Sequence, residues 1–130
     1  MGVTVDKDCV FVNDGAKSDI GNIGHGLGRD NIIAIAEPVY PVYENATIMS
    51  GRAGFLMDEQ KWSNIVYLKC NEDTGFLPEL PSEKVDVIYI CNPNNPTGIS
   101  MNKAELKRWV DYAIEHESII VYDAAYQAYI

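Results

Sequence analysis

The 130-residue sequence is poor in the residues that build disulfide frameworks, metal centres and polyanion-binding surfaces. Its three cysteines, Cys9, Cys70 and Cys91, are odd in number and widely spaced. Each lies in or beside an apolar run, which suits a small core residue better than a disulfide or a zinc ligand. The two histidines, His25 and His116, have no CxxC or HxxH companion, so no metal site is expected. Ten basic side chains against nineteen acidic ones give a net charge of −9. That balance disfavours nucleic acid or an anionic membrane as partner, because no basic patch is left to hold either. No apolar run reaches the length of a membrane span, and the first residues lack the basic and apolar regions of a secretory signal. The expected location is therefore cytoplasmic, where the sequon Asn45-Ala46-Thr47 is an accidental match.

Hydrophobic residues at 47% and charged ones at 22% describe an ordinary soluble chain, long enough for one domain with one core. Short β-branched or apolar runs at residues 9–12, 31–36, 65–68, 85–91 and 118–122 predict five strands. The 31–36 run is apolar almost throughout, as a strand covered on both faces requires. Between the last two strands, Leu106, Trp109, Val110, Ala113 and Ile114 fall on one helical stripe. Asn102 followed by Glu105 gives a capping-box start. Strand, helix and strand in that order predict an α/β architecture: a mostly parallel sheet with flanking helices. Gly21, Gly24, Gly26 and Gly28 crowd the segment after residues 18–20, and each costs about 0.8–1.0 kcal/mol inside a helix, so the helix there should be short. Their spacing does not make the GxGxxG turn of a dinucleotide fold. Residues 71–84, with Pro78 and Pro81, read as an irregular connection.

Open α/β sheets place ligands at the carboxyl ends of their strands, and several segments there could carry chemistry. Gly15-Ala16-Lys17-Ser18-Asp19 offers backbone N–H groups at a helix start, which suit a phosphate; a plain cap by Ser18 or Asp19 explains the segment equally well. Pro38 and Pro41 bracket Tyr40 and fix the direction of a ring on which a flat ligand could stack; packing at the domain edge is the alternative. Asn92-Pro93-Asn94-Asn95-Pro96-Thr97-Gly98 is so restricted that an amide is left pointing into the cleft; a plain turn is the alternative, but restriction of this degree in one loop usually serves function. Asp123 ends the last apolar run, with Tyr126 three residues on, and a carboxylate there needs a cationic or donor partner.

Taken together, Asn95-Pro96-Thr97-Gly98 and Asp123-Ala124-Ala125-Tyr126 resemble the NPTG loop and the D-x-x-Y strand end of class I/II aminotransferases, of pyridoxal-phosphate (PLP) fold type I. The resemblance runs in order over nearly the whole chain. It is greatest to the branch that acts on LL-diaminopimelate, in lysine biosynthesis. It implies that Ala16 and Lys17 give N–H groups to the PLP phosphate and that Tyr40 stacks on the pyridine ring. It further implies that Asn95 and Tyr126 bond the phenolic oxygen, and that Asp123 pairs with the pyridine nitrogen.

The same resemblance makes residues 1–130 an incomplete PLP-binding large domain, a partial fold lacking its later strands. The Schiff-base lysine of the family then lies beyond Ile130. Lys17 falls in the phosphate turn, Lys103 and Lys107 on the amphipathic helix, and Ser100-Met101-Asn102-Lys103 reads as a helix cap rather than an SxxK nucleophile. The expected substrates are an amino acid and a 2-oxo acid, in a homo-oligomer, with the segment alone inactive. Alone, its fifth strand would be an apolar edge open to rearrangement or strand swapping. A non-catalytic aminotransferase-like ligand-binding module or a truncated relic is the competing expectation, and another PLP reaction a weaker one.

Overall fold

Alternation of apolar side chains on two neighbouring strands sets the architecture. The computed structural model describes residues 2–130. Its strands are β1 (Ile33–Glu37), β2 (Ile65–Lys69), β3 (Val87–Cys91) and β4 (Ile119–Asp123). They form one sheet in the order β2-β1-β3-β4, every pair parallel. Successive side chains on a strand point to opposite faces. Ile33, Ile35, Val87, Tyr89 and Cys91 therefore join one core cluster, while Ala34, Ile88 and Ile90 join a second on the other face. All five residues of β3 are buried, as a central strand covered on both sides must be.

Helices cover the two faces. The first cluster takes in Ile20 from α1 (Ala16–Ile23) and Tyr43 from α2 (Val42–Met49). The second takes in Trp109, Tyr112 and Ala113 from α3 (Lys103–His116). The Asn102 side chain accepts from the N–H groups of Ala104 and Glu105, and Glu105 accepts from the Asn102 N–H at 2.6 Å. Ser100-Met101-Asn102-Lys103 thus performs a capping task, as the helix-start reading expects.

The sequence reading needs four corrections. Residues 9–12 are not a strand: a 3-10 turn spans Lys7–Cys9, and Val10, Phe11 and Val12 are 59%, 85% and 95% exposed. A strand requires a ladder partner, and these residues pair with no strand among the described residues. On α3 the buried stripe is Trp109, Tyr112 and Ala113, whereas Val110 and Ile114 face outward; Tyr112 donates its hydroxyl to the Glu83 carbonyl, which turns the helix toward the 71–84 connection. The 31–36 and 85–91 runs start late as strands, because the Asp86 carboxylate takes the Ile32 N–H at 2.7 Å in place of a ladder carbonyl. Finally, Cys9 is exposed and so is no core residue, whereas Cys70 and Cys91 are buried as expected. Beyond these expectations, residues 42–49 form a helix despite the β-branched Val42, Thr47 and Ile48. Burying Tyr43 and Thr47 on one face, four residues apart, overrides that local preference.

Candidate functional site

The sheet order fixes where a ligand can enter. From β1 the chain moves outward to β2, then returns to the other side of β1 for β3 and β4. The switch point lies between β1 and β3, and there the ladder is incomplete. β1 and β2 are in register over five pairs, from Ile33↔Ile65 to Glu37↔Lys69. β1 and β3 pair only at Ile33↔Val87 and Ala34↔Ile88, at the amino ends. The strands then diverge, and a crevice opens at their carboxyl ends, where open α/β sheets hold ligands.

All six residues singled out from the sequence line one cavity of about 170 Å³ at that crevice: Ala16, Lys17, Tyr40, Asn95, Asp123 and Tyr126. Cys91, the register partner of Asp123, adds to its wall. The chain's other lysines, Lys103 and Lys107 of α3 included, are absent from its lining.

Local structure explains how each group arrives. Gly15 holds a φ of 127°, open to glycine and costly to a side chain, and turns the chain so that α1 begins at Ala16. No side chain caps this helix, so neither Ser18 nor Asp19 performs the capping task that the sequence allows. Asp19 instead accepts from the Asn13 amide. The Ser18 N–H turns back to the Gly15 carbonyl at 3.0 Å, and the N–H groups of Ala16 and Lys17 are left for another acceptor. Tyr40 is half-buried, edge-on to Tyr43 with ring centroids 5.9 Å apart, and the Lys17 ammonium lies 5.9 Å from its ring centre. It is thus both packed at the domain edge and turned to the cavity.

Asp123 is held at both oxygens. The Ala125 N–H donates to Oδ1 at 3.0 Å, and the Tyr43 hydroxyl donates to Oδ2 at 2.8 Å. Tyr43 is fully buried and stacks on Tyr89 with centroids 4.9 Å apart. Burial, and then the bond to Asp123, push the Tyr43 phenol above its ordinary value, so it remains a neutral donor.

The NPTG loop is braced by its own asparagines. Asn92, 1% exposed, donates its amide to the Met101 carbonyl and the Tyr122 hydroxyl and accepts from the Met101 N–H at 2.7 Å. Asn94 donates to the Pro38 carbonyl and to Thr97. Sequence reasoning missed Tyr43, Asn92 and Asn94 as supports. No local signal marks Tyr43, which meets Asp123 across 80 residues; Asn92 and Asn94 stand in the same restricted loop as Asn95 but face other partners.

The model of the family described as aminotransferase class I and II matches residues 1–130. The chain belongs to that family. An LL-diaminopimelate aminotransferase of Phocaeicola vulgatus is 54% identical over 129 residues, which are 99% of this chain and 31% of that protein. One from Lachnospira eligens is 53% identical, over 99% of this chain and 32% of its own length. The chain thus spans about a third of the curated relatives it matches. The solved structure of L,L-diaminopimelate aminotransferase from Chlamydomonas reinhardtii superposes with a TM-score of 0.83 at 40% identity, over 90% of this chain and 29% of that one. The fold is accordingly part of the PLP fold type I architecture that the sequence reading expects.

Proposed function

We propose that this chain is the ring-binding part of the PLP-binding large domain of an aminotransferase. The whole protein would move an amino group between an amino acid, LL-diaminopimelate foremost, and a 2-oxo acid. One observation carries the reading: six residues from four separate segments, chosen for one ligand, line a single cavity at the switch point of the sheet. The family membership and the relatives named for LL-diaminopimelate support the substrate.

The donor set fits PLP group by group. The uncapped first turn of α1, at Ala16 and Lys17, suits the phosphate. The Tyr40 ring offers a face to the pyridine, and Asn95 and Tyr126 offer polar ends to its phenolic oxygen. Asp123 offers a carboxylate to the ring nitrogen and holds a proton there. When bound, PLP supplies an electron sink for negative charge at the substrate carbon bearing the amino group. The protein's part is to orient the ring: Tyr43 and the Ala125 N–H fix the Asp123 carboxylate so that its charge needs no rearrangement during reaction. Tyr43 stays neutral in this task because its phenol is raised, so it donates to the carboxylate and does not repel it.

The reading carries with it a cytoplasmic homo-oligomer. β4 lies at the edge of the sheet, with Ile119 51% and Tyr122 41% exposed, and such an edge is open to further strands. The test is to express the complete natural reading frame, measure PLP uptake by absorbance, and assay amino transfer from LL-diaminopimelate to a 2-oxo acid. Uptake with transfer is expected. PLP held without any transfer would make the protein a binding module. Transfer that fails while another reaction proceeds would move it elsewhere in the fold; a solved structure named L-threonine-O-3-phosphate decarboxylase, from Porphyromonas gingivalis, shares it with a TM-score of 0.65 at 25% identity.

A further inference from the structure

We propose that Asn94 is a positioning residue: its amide ties the loop after β1 to the loop after β3 across the split sheet, and so sets the gap between the Tyr40 ring and Asn95. The inference rests on the reading that PLP occupies this gap.

Once β1 and β3 part beyond Ala34 and Ile88, no ladder holds their carboxyl ends at a fixed separation. The end of β1 is fastened in the opposite direction, toward β2. The Glu37 carbonyl accepts from the Cys70 N–H at 2.9 Å, and its carboxylate meets the Lys61 ammonium at 3.1 Å. Tyr40 and Asn95 follow the two diverging strands, and their spacing needs another constraint. Among the described residues, one hydrogen bond joins residues 38–41 to residues 92–98: Asn94 Nδ2 donates to the Pro38 carbonyl at 3.2 Å.

The same nitrogen donates to Thr97 Oγ1 at 2.9 Å, and an amide carries two protons, so both bonds form together. The turn of the loop does not depend on this side chain. Its backbone closes the turn by itself, with Asn94 N–H to the Ile99 carbonyl at 2.9 Å and Gly98 N–H to the Asn94 carbonyl at 2.7 Å. The amide is therefore free to act between loops. Pro38 stands two residues before Tyr40, and Asn94 immediately before Asn95, so a short, stiff path joins the two ligand-facing groups.

The test compares Asn94→Ala with Thr97→Val in the protein expressed from its complete reading frame. Each apo-protein is titrated with PLP, and the induced visible circular dichroism of the bound ring is recorded at saturation. Asn94→Ala should weaken PLP binding about five- to tenfold, the worth of one hydrogen bond, and change the induced signal, which reports ring orientation. Thr97→Val keeps the donor to Pro38 and should shift affinity by less than about twofold, within the range of a surface change. Should Asn94→Ala fold poorly, Asn94→Asp keeps the volume and can take the Thr97 hydroxyl as a donor in place of an acceptor, but cannot donate to Pro38, and the same loss is expected. Unchanged affinity and an unchanged induced signal in Asn94→Ala overturn the proposal, as does an equal loss in Thr97→Val. If the unaltered protein takes up no PLP, the functional reading falls and this one with it. If the unaltered protein takes up PLP and Asn94→Ala takes it up as tightly with the same induced signal, this inference alone falls.

Discussion

β1 meets two neighbours in two different ways. Toward β2 it is zipped along its whole length and fastened at the end by Cys70 and Lys61. Toward β3 it pairs at two positions and then swings away. The closed side contributes rigidity, and the open side provides a mouth whose walls are loops. On the sheet face that α2 covers, Tyr43 stacks on Tyr89 of β3, and both rings are buried. A single strand thereby separates the task of holding the sheet from the task of holding a ligand.

That division can be broken first at Asp123, where the largest effect is expected. Asp123→Ala should lower amino transfer by about a thousandfold, the scale of losing a preorganised charge, while the protein stays folded. Steady-state turnover at saturating PLP measures it, and near-normal turnover would remove the assigned role. On the folding side, Ile88 sits at one of the two positions that join β1 to β3 and is fully buried. Ile88→Ala should cost about 2–5 kcal/mol in urea unfolding yet leave the induced signal of bound PLP unchanged where the protein is folded.

Tyr43→Phe sharpens the comparison, since it keeps the ring stack and removes only the donor to Asp123. A hydrogen bond to a charged group contributes about 1.5–3 kcal/mol, so both stability and PLP retention should fall by that order. The phenols of Tyr43, Tyr67 and Tyr89 are all raised, with burial the leading cause. The folded state therefore prefers them protonated. Their contribution is complete below the ordinary phenol value of about 10 and is lost as pH rises above it. Urea midpoints taken across that value should decline, and less steeply in Tyr43→Phe. The smallest effect is expected on the closed side, where Lys61 and Glu37 are 33% and 43% exposed. Lys61→Met should cost less than about 1 kcal/mol, because solvent screens such a pair.

The parallel core was legible because buried strands leave continuous apolar runs, and residues 65–69, 87–91 and 119–123 fall where those runs do. α3 was legible through its cap, since Asn102 and Glu105 act within one turn. Which face α3 buries was not, because it depends on Tyr112 reaching Glu83 across 29 residues. The first run, residues 9–12, misled because apolar composition does not supply a ladder partner. The six cavity residues could be named from local motifs and the family resemblance. Their supports could not: Tyr43 meets Asp123 across 80 residues and Asn94 meets Pro38 across 56, and neither pairing leaves a local pattern.

The central claim is that the cavity beside β4 holds a protonated pyridine ring against Asp123. The most direct measurement is the ring-nitrogen chemical shift of ¹⁵N-labelled PLP bound to the full natural protein, with and without Asp123→Ala. A protonated-ring shift in the unaltered protein that moves to the unprotonated value in the variant is the result this account predicts. The same shift in both would contradict it, and would place the ring nitrogen away from Asp123.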